Sequence, residues 1–225
     1  MSIRLTIVKF GPKGQAVVMP VARKPEGRHH HGALRRALLD AVAEILRESG
    51  PHGMTLRAAA RRAGVSHSAA TPHFQDLAGL LTAFVAEGNE RLAATMRRHV
   101  EADPGHPLLA CGRGYIAFAA ANPAHFRMMF GTAPKDDGDP ALQAARQAAF
   151  APLREAMAAL HPSVPEAALR DRLGLAWAAV HGFAALRAEG AGAKLWPEPD
   201  ALAAAEGMLR LVVAACAAPP SGPGA

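Results

Sequence analysis

The chain has 225 residues, half of them apolar but only 5% aromatic, and a formal net charge of +6. Such a composition excludes a wholly disordered chain, and its Ala-rich, aromatic-poor balance suits closely packed helices over sheets. Two isolated cysteines, Cys111 and Cys216, exclude a disulfide framework or zinc site, and no apolar run reaches the ~20 residues of a membrane span.

Residues 1–28 form a Gly-, Pro- and Lys-containing lead with a β-leaning stretch at 3–8. The stretch is too short and interrupted for a signal peptide. The lead reads either as a basic arm over 9–28 that adds phosphate contacts or as sequence upstream of a natural start at Met19. His29, His30 and His31 follow; they lack the three- or four-residue spacing of a helical metal pair, and no metal or cofactor is expected. A first helix is expected over 33–49, with Leu34, Leu38, Ala41, Val42, Ile45 and Leu46 on one face and Gly50-Pro51 as its stop.

Residues 55–74, TLRAAARRAGVSHSAATPHF, read as two short helices about a Gly-centred turn. Leu56, Ala59 and Ala60 share an apolar face, Gly64 supplies the left-handed turn conformation, and Thr55 and Ser66 are good N-caps. This is a helix-turn-helix pattern whose second helix would enter a major groove of double-stranded DNA. On that helix Ser66, His67, Ser68, Ala69 and Thr71 are placed to meet base edges or adjacent phosphates, with His73 at its end. Thr55 and Arg57 would hold the phosphate backbone, while Arg61 and Arg62 stand equally well as phosphate contacts or as a charged helix back. The charge distribution agrees with this placement. Residues 1–100 carry 15 Lys and Arg against 7 Asp and Glu, and residues 101–225 carry 10 against 12. Pro72 predicts that the second helix is very short or kinked at its end.

A long helix is expected after Asp76, carrying Leu80, Leu81, Phe84, Val85, Leu92 and Met96 as far as Asp103-Pro104. Further helices are expected over 108–121, 124–130, 141–160, 165–189 and 200–217. Asn122 and Pro123 read as the cap and first position of the second of these, and 132–139 as a solvated loop.

Residues 29–85 resemble the DNA-binding domain of the TetR family of bacterial transcriptional regulators: Gly64-Val65-Ser66, His73-Phe74 and Leu80-Leu81 match its signature. Residues 115–119, 122–131 and the stretch from Trp177 to His181-Gly182 look like the regulatory domain of the branch named for its Trp-His-Gly motif. Two positions depart from the family pattern, Thr71 where relatives commonly have Tyr and Leu77 where they usually have a phosphate-binding Lys. The resemblance implies an all-α protein in which a three-helix helix-turn-helix domain is joined by a long fourth helix to a C-terminal helical bundle. Its expected boundaries are an extension at 1–28, the DNA-binding domain at 29–85, an effector-binding and dimerisation domain at 86–217 and a disordered tail at 218–225. The bundle would hold a small-molecule effector against Phe118, Met129, Trp177 and His181. Ala178, Ala185, Leu209, Val212 and Val213 would form the homodimer interface.

The expected activity is that of a cytoplasmic, homodimeric repressor released from a pseudo-palindromic operator by its effector. Two rivals stand beside it. One is a family member with degenerate DNA binding that serves as a dimeric ligand- or protein-binding module; the other is an all-helical enzyme using His125 or His181 as base.

Overall fold

Helix α1, Arg28–Ser49, starts earlier than the apolar periodicity indicates and buries Leu38, Leu39, Val42 and Leu46. The computed structural model describes residues 8–10, 16–18, 28–51 and 53–218. The reading of Met19 as a start, the lead at 1–28 as a whole and the tail beyond 218 lie outside the described residues, as do the side chains of His29, His30 and His31. Within the lead, β1 (Val8–Phe10) and β2 (Ala16–Val18) pair antiparallel with Val8 opposite Val18. This ribbon is the one addition to an otherwise helical set of described residues.

Helices α2, Leu56–Arg62, and α3, His67–Phe74, pack on α1 to complete the N-terminal three-helix unit. Helix α3 continues two residues beyond Pro72 and ends at Gln75, whose φ of 61° is the only positive value among the described non-glycine residues. The expected shortness is therefore met by an eight-residue helix that absorbs the proline.

Helix α4, Leu77–Ala102, spans 26 residues, about 39 Å of rise. Its first half buries Leu80, Leu81, Phe84 and Val85, and its second half buries Leu92, Ala93 and Met96. The expected boundary between residues 85 and 86 thus falls inside one continuous helix. Helix α5, Pro107–Ala121, lies so close to α4 that a Cβ on Gly114 would stand 2.7 Å from the Met96 Cα.

Asn122 does not cap the following helix as expected. Its Nδ2 turns back and donates to the Phe118 carbonyl at 3.1 Å, closing α5, while α6, Pro123–Phe130, starts without a side-chain cap. Helix α7, Pro140–Leu160, is capped by Asp139. The helix expected over 165–189 is divided: a 3₁₀ turn, Glu166–Leu169, sets Leu169 into the core before α8, Arg170–Ala188, begins. Helix α9, Ala201–Ala217, starts at the Asp200 cap. Buried side chains from α1 through α9 form one contiguous apolar cluster.

Candidate functional site

The two short helices are built by local hydrogen bonds that their sequence dictates. Thr55 Oγ1 accepts from the Ala58 N–H at 3.0 Å and Ser66 Oγ accepts from the Ala69 N–H at 3.1 Å. Gly64, at φ 71°, lets the chain turn so that the Val65 N–H reaches the Ala60 carbonyl at 3.0 Å. Ala70 and Phe74 anchor α3 inward, and the Arg35 guanidinium carbon lies 5.6 Å from the centre of the Phe74 ring.

What remains outside on α3 is polar and small. His67, Ser68 and Thr71 are exposed, Ala69 is half-buried, and His73 is half-buried beside Phe74. Thr71 Oγ1 donates to the His67 carbonyl at 3.0 Å, and the Ser66 and Ser68 hydroxyls lie 3.0 Å apart. Thr55, Arg57, Arg61 and His67 line one shallow groove between α2 and α3. Two adjacent arginines are separated in role here. Arg62 is held by Glu48 at 2.5 and 2.8 Å and by Glu44 at 3.3 Å, both on α1, whereas Arg57 and Arg61 pair with no carboxylate among the described residues. Leu77 packs against the core.

The C-terminal half contains a cavity of about 370 Å³ walled by α4 through α9. Its interior is apolar, with Leu92, Met96, Met129, Val180 and Leu209 among the lining side chains. Three groups there could make polar contacts. The buried Asn89 donates its Nδ2 to the Val85 carbonyl at 2.8 Å, which leaves its amide oxygen as an acceptor. The Tyr115 hydroxyl is engaged by His181 Nδ1 at 2.9 Å and by the Trp177 side chain, and burial pushes the phenol above its ordinary range. Cys111 lies 3.6 Å from the Met96 sulfur, its thiol pushed up to about 12 by burial. Among the described residues Arg146 is the single charged side chain in the wall; its Nη2 donates to Asp137 Oδ1 at 2.6 Å.

Comparison with known proteins follows this division of the chain. Residues 108–215 match the family model described as the tetracyclin repressor-like C-terminal domain. A solved structure of a protein of unknown function from Rhodococcus sp. RHA1 is 30% identical, with a TM-score of 0.67 over 86% of this chain and 100% of that one. The HTH-type transcriptional regulator AlkX of Mycobacterium tuberculosis is 28% identical over 124 residues, 54% of this chain and 59% of that protein. The chain belongs to the TetR family. The TetR-family regulator PfmR of Thermus thermophilus shares the fold at 18% identity, with a TM-score of 0.56 over 80% of this chain and 95% of that one. The Trp-His-Gly branch finds no support in these matches.

As a TetR-family chain, the protein uses its expected regulatory residues unevenly. Met129 and Trp177 line the cavity. Phe118 does not: it is fully buried in the core, on the part of α5 beyond the cavity wall. His181 is not in the wall either but backs it, through the Tyr115 hydroxyl and the rings of Phe130 and Trp177. Leu209, Val212 and Val213, expected at a dimer interface, line the cavity, Leu209 buried and the two valines half-buried. Leu209 is 2% exposed because Gly112 on α5 leaves room for it; a Cβ there would stand 2.6 Å from the Leu209 Cδ2. Ala178 is exposed and Ala185 half-buried on α8. Asn89, Cys111, Arg146 and Phe150 are cavity residues that sequence reasoning missed. A polar Asn89 within the apolar face of α4 was the one legible signal. Among the described residues no helix is long and apolar enough to cross a membrane.

Proposed function

We propose that this TetR-family regulator is a homodimeric repressor that binds a pseudo-palindromic operator and is released from it by a small-molecule effector. The observation that carries the reading is the outward face of α3. His67, Ser68 and Thr71 stand exposed on a helix capped by Ser66, beside a groove holding Thr55, Arg57 and Arg61. Polar side chains on a short exposed helix can read base edges while flanking cations and a helix N-terminus hold phosphates. In a two-fold dimer the paired helices would enter major grooves about 34–36 Å apart, or further if the bundles splay them.

An exposed apolar face supports the dimer. Leu175, Ala178 and Leu186 on α8 and Leu211 on α9 are exposed, with Gly174 and Gly207 offering open surface for close approach. Effector binding in the cavity would act on DNA through α4, which runs from the cavity wall to the N-terminal unit. The deciding experiment is a gel-shift series on DNA upstream of the chain's own gene at low and moderate salt. A shift specific to that DNA supports the reading, and no shift at low salt ends it.

A second reading, degenerate DNA binding, draws on Leu77, which lies against the core where relatives usually offer a cation, and on Thr71, whose hydroxyl is turned back to the His67 carbonyl. That reading predicts a steep salt dependence with no preference between operator and random DNA.

A further inference from the structure

We infer that the cavity's ligand is an apolar carboxylate: a hydrocarbon body in the interior and an anionic head on Arg146 at the mouth. This deepens the regulatory reading and rests on it, since it names the effector class of the same cavity.

Phe130, Phe150, Trp177 and Arg146 are among the lining side chains that also reach solvent, and they mark the mouth. Arg146 and Phe150 stand one turn apart on α7 and share a face. Among the described residues no carboxylate lines the cavity, so a cationic ligand would meet Arg146 with no counter-charge. The interior offers an anion no charge. Asn89 has committed one of its two amide N–H groups to the Val85 carbonyl and keeps one neutral donor, the Tyr115 hydroxyl is engaged by His181 and Trp177, and the Cys111 thiol is buried among apolar side chains. The charge of an anionic ligand must therefore sit at Arg146, and the rest of the molecule must be apolar to fill the space behind it.

Arg146 is held in the free protein by Asp137, a carboxylate whose side chain is largely exposed. An exposed ion pair of this kind is weak, whereas a ligand carboxylate brought to Arg146 beside the Phe150 and Trp177 rings is partly shielded from water and pairs more strongly, so the exchange favours the ligand, and burial of the hydrocarbon supplies the rest of the affinity. The exchange also reaches the N-terminal half. Asp137 sits in the 131–139 loop, where the neighbouring Asp136 N–H donates to Thr82 Oγ1 on α4 at 2.8 Å, and Gln143 on α7 donates to the Asp137 carbonyl. A ligand that draws Arg146 from Asp137 loosens a loop tied to α4 six residues after the Asp76 cap.

The test titrates the full chain, without DNA, with octanoate, decanoate and 1-decanol, following Trp177 emission in a Trp196→Phe background. Decanoate is expected to bind more tightly than octanoate, by about fourfold per added methylene. It should also bind at least tenfold more tightly than 1-decanol. Arg146→Gln should remove that tenfold advantage while leaving 1-decanol affinity unchanged, which also shows that the variant is folded. Asp137→Asn should tighten decanoate severalfold. Equal binding of decanoate to wild type and Arg146→Gln, equal binding of acid and alcohol, or no binding of either would each overturn the proposal. A gel shift without ligand tests the regulatory reading separately, so the two can fail independently.

Discussion

The imidazole of His125 lies stacked on the ring of Phe84, with centroids 4.0 Å apart and planes 14° from parallel. The contact joins α6 to α4, and the His125 Nε2 is buried without a hydrogen-bond partner. The charged groups around it are Glu87, 3.9 Å away, with Arg91 on α4 and Arg36 and Asp40 on α1. Burial, helped by the Arg91 charge, lowers its pKa to about 4. The folded protein therefore takes up this proton less readily than the unfolded chain, whose histidine titrates near 6.5. Stability from this group is constant above pH 6.5, falls by about 3 kcal/mol as pH drops to 4, and is level below that. His125→Phe keeps the stack and removes the proton site. Urea melts at pH 7 and pH 4.5 should show the variant losing markedly less stability between the two than the wild type.

Gly114 meets backbone, not a side chain that can move: a Cβ would stand 2.7 Å from the Met96 Cα and 3.2 Å from the Met96 N. Gly114→Ala must push α5 from α4 and is expected to cost about 1–3 kcal/mol. Denaturant unfolding checks this as a lower midpoint with an unchanged slope.

Arg61 and Arg62 are neighbours with different expected effects. Arg61 faces the α2–α3 groove, whereas Arg62 is bound to Glu48 and Glu44. Arg57→Ala and Arg61→Ala should each weaken DNA binding across all sequences and lower the logarithmic salt slope by about one unit. Arg62→Ala should leave the slope unchanged. His67→Ala should instead narrow the gap between operator and random DNA. Fluorescence anisotropy over a salt series distinguishes the three behaviours, and an Arg62→Ala slope change as large as that of Arg61→Ala would overturn the assignment.

Leu211 is 74% exposed on α9, on the opposite side from the cavity residue Leu209. Leu211→Glu should convert a dimer to a monomer in sedimentation or light scattering while leaving decanoate affinity intact, because the residue does not line the cavity. A wild-type chain that is monomeric at micromolar concentration would remove the basis for the two-fold operator.

The features legible in the sequence are those fixed within a few residues. Thr55, Ser66 and Asp76 each cap the helix that follows them, because the acceptor and the N–H it satisfies lie three residues apart. The cavity was legible only in part. Met129 and Trp177 stand out by size, but Asn89, Cys111, Arg146 and Phe150 come from three helices and converge only through tertiary packing. Phe118 looks the same in sequence as a lining aromatic, and its place on α5 relative to α4 decides otherwise. The dimer expectation failed at Leu209 for a similar reason. Gly112 leaves the space that takes this leucine into its own subunit, and no local pattern in α9 reports that. The break at Glu166–Leu169 was also hidden, since Pro165 opens a 3₁₀ turn and an α-helix equally well.

One rod, α4, is both the floor of the N-terminal unit through Leu80, Leu81 and Phe84 and a wall of the cavity through Asn89, Leu92 and Met96. Its apolar side chains belong to a cluster without a seam. Neither half therefore has an interior closed off from the other. Heating should melt both in a single cooperative step, and a chain cut at residue 85 would leave each piece with a raw apolar stripe and no partner to cover it.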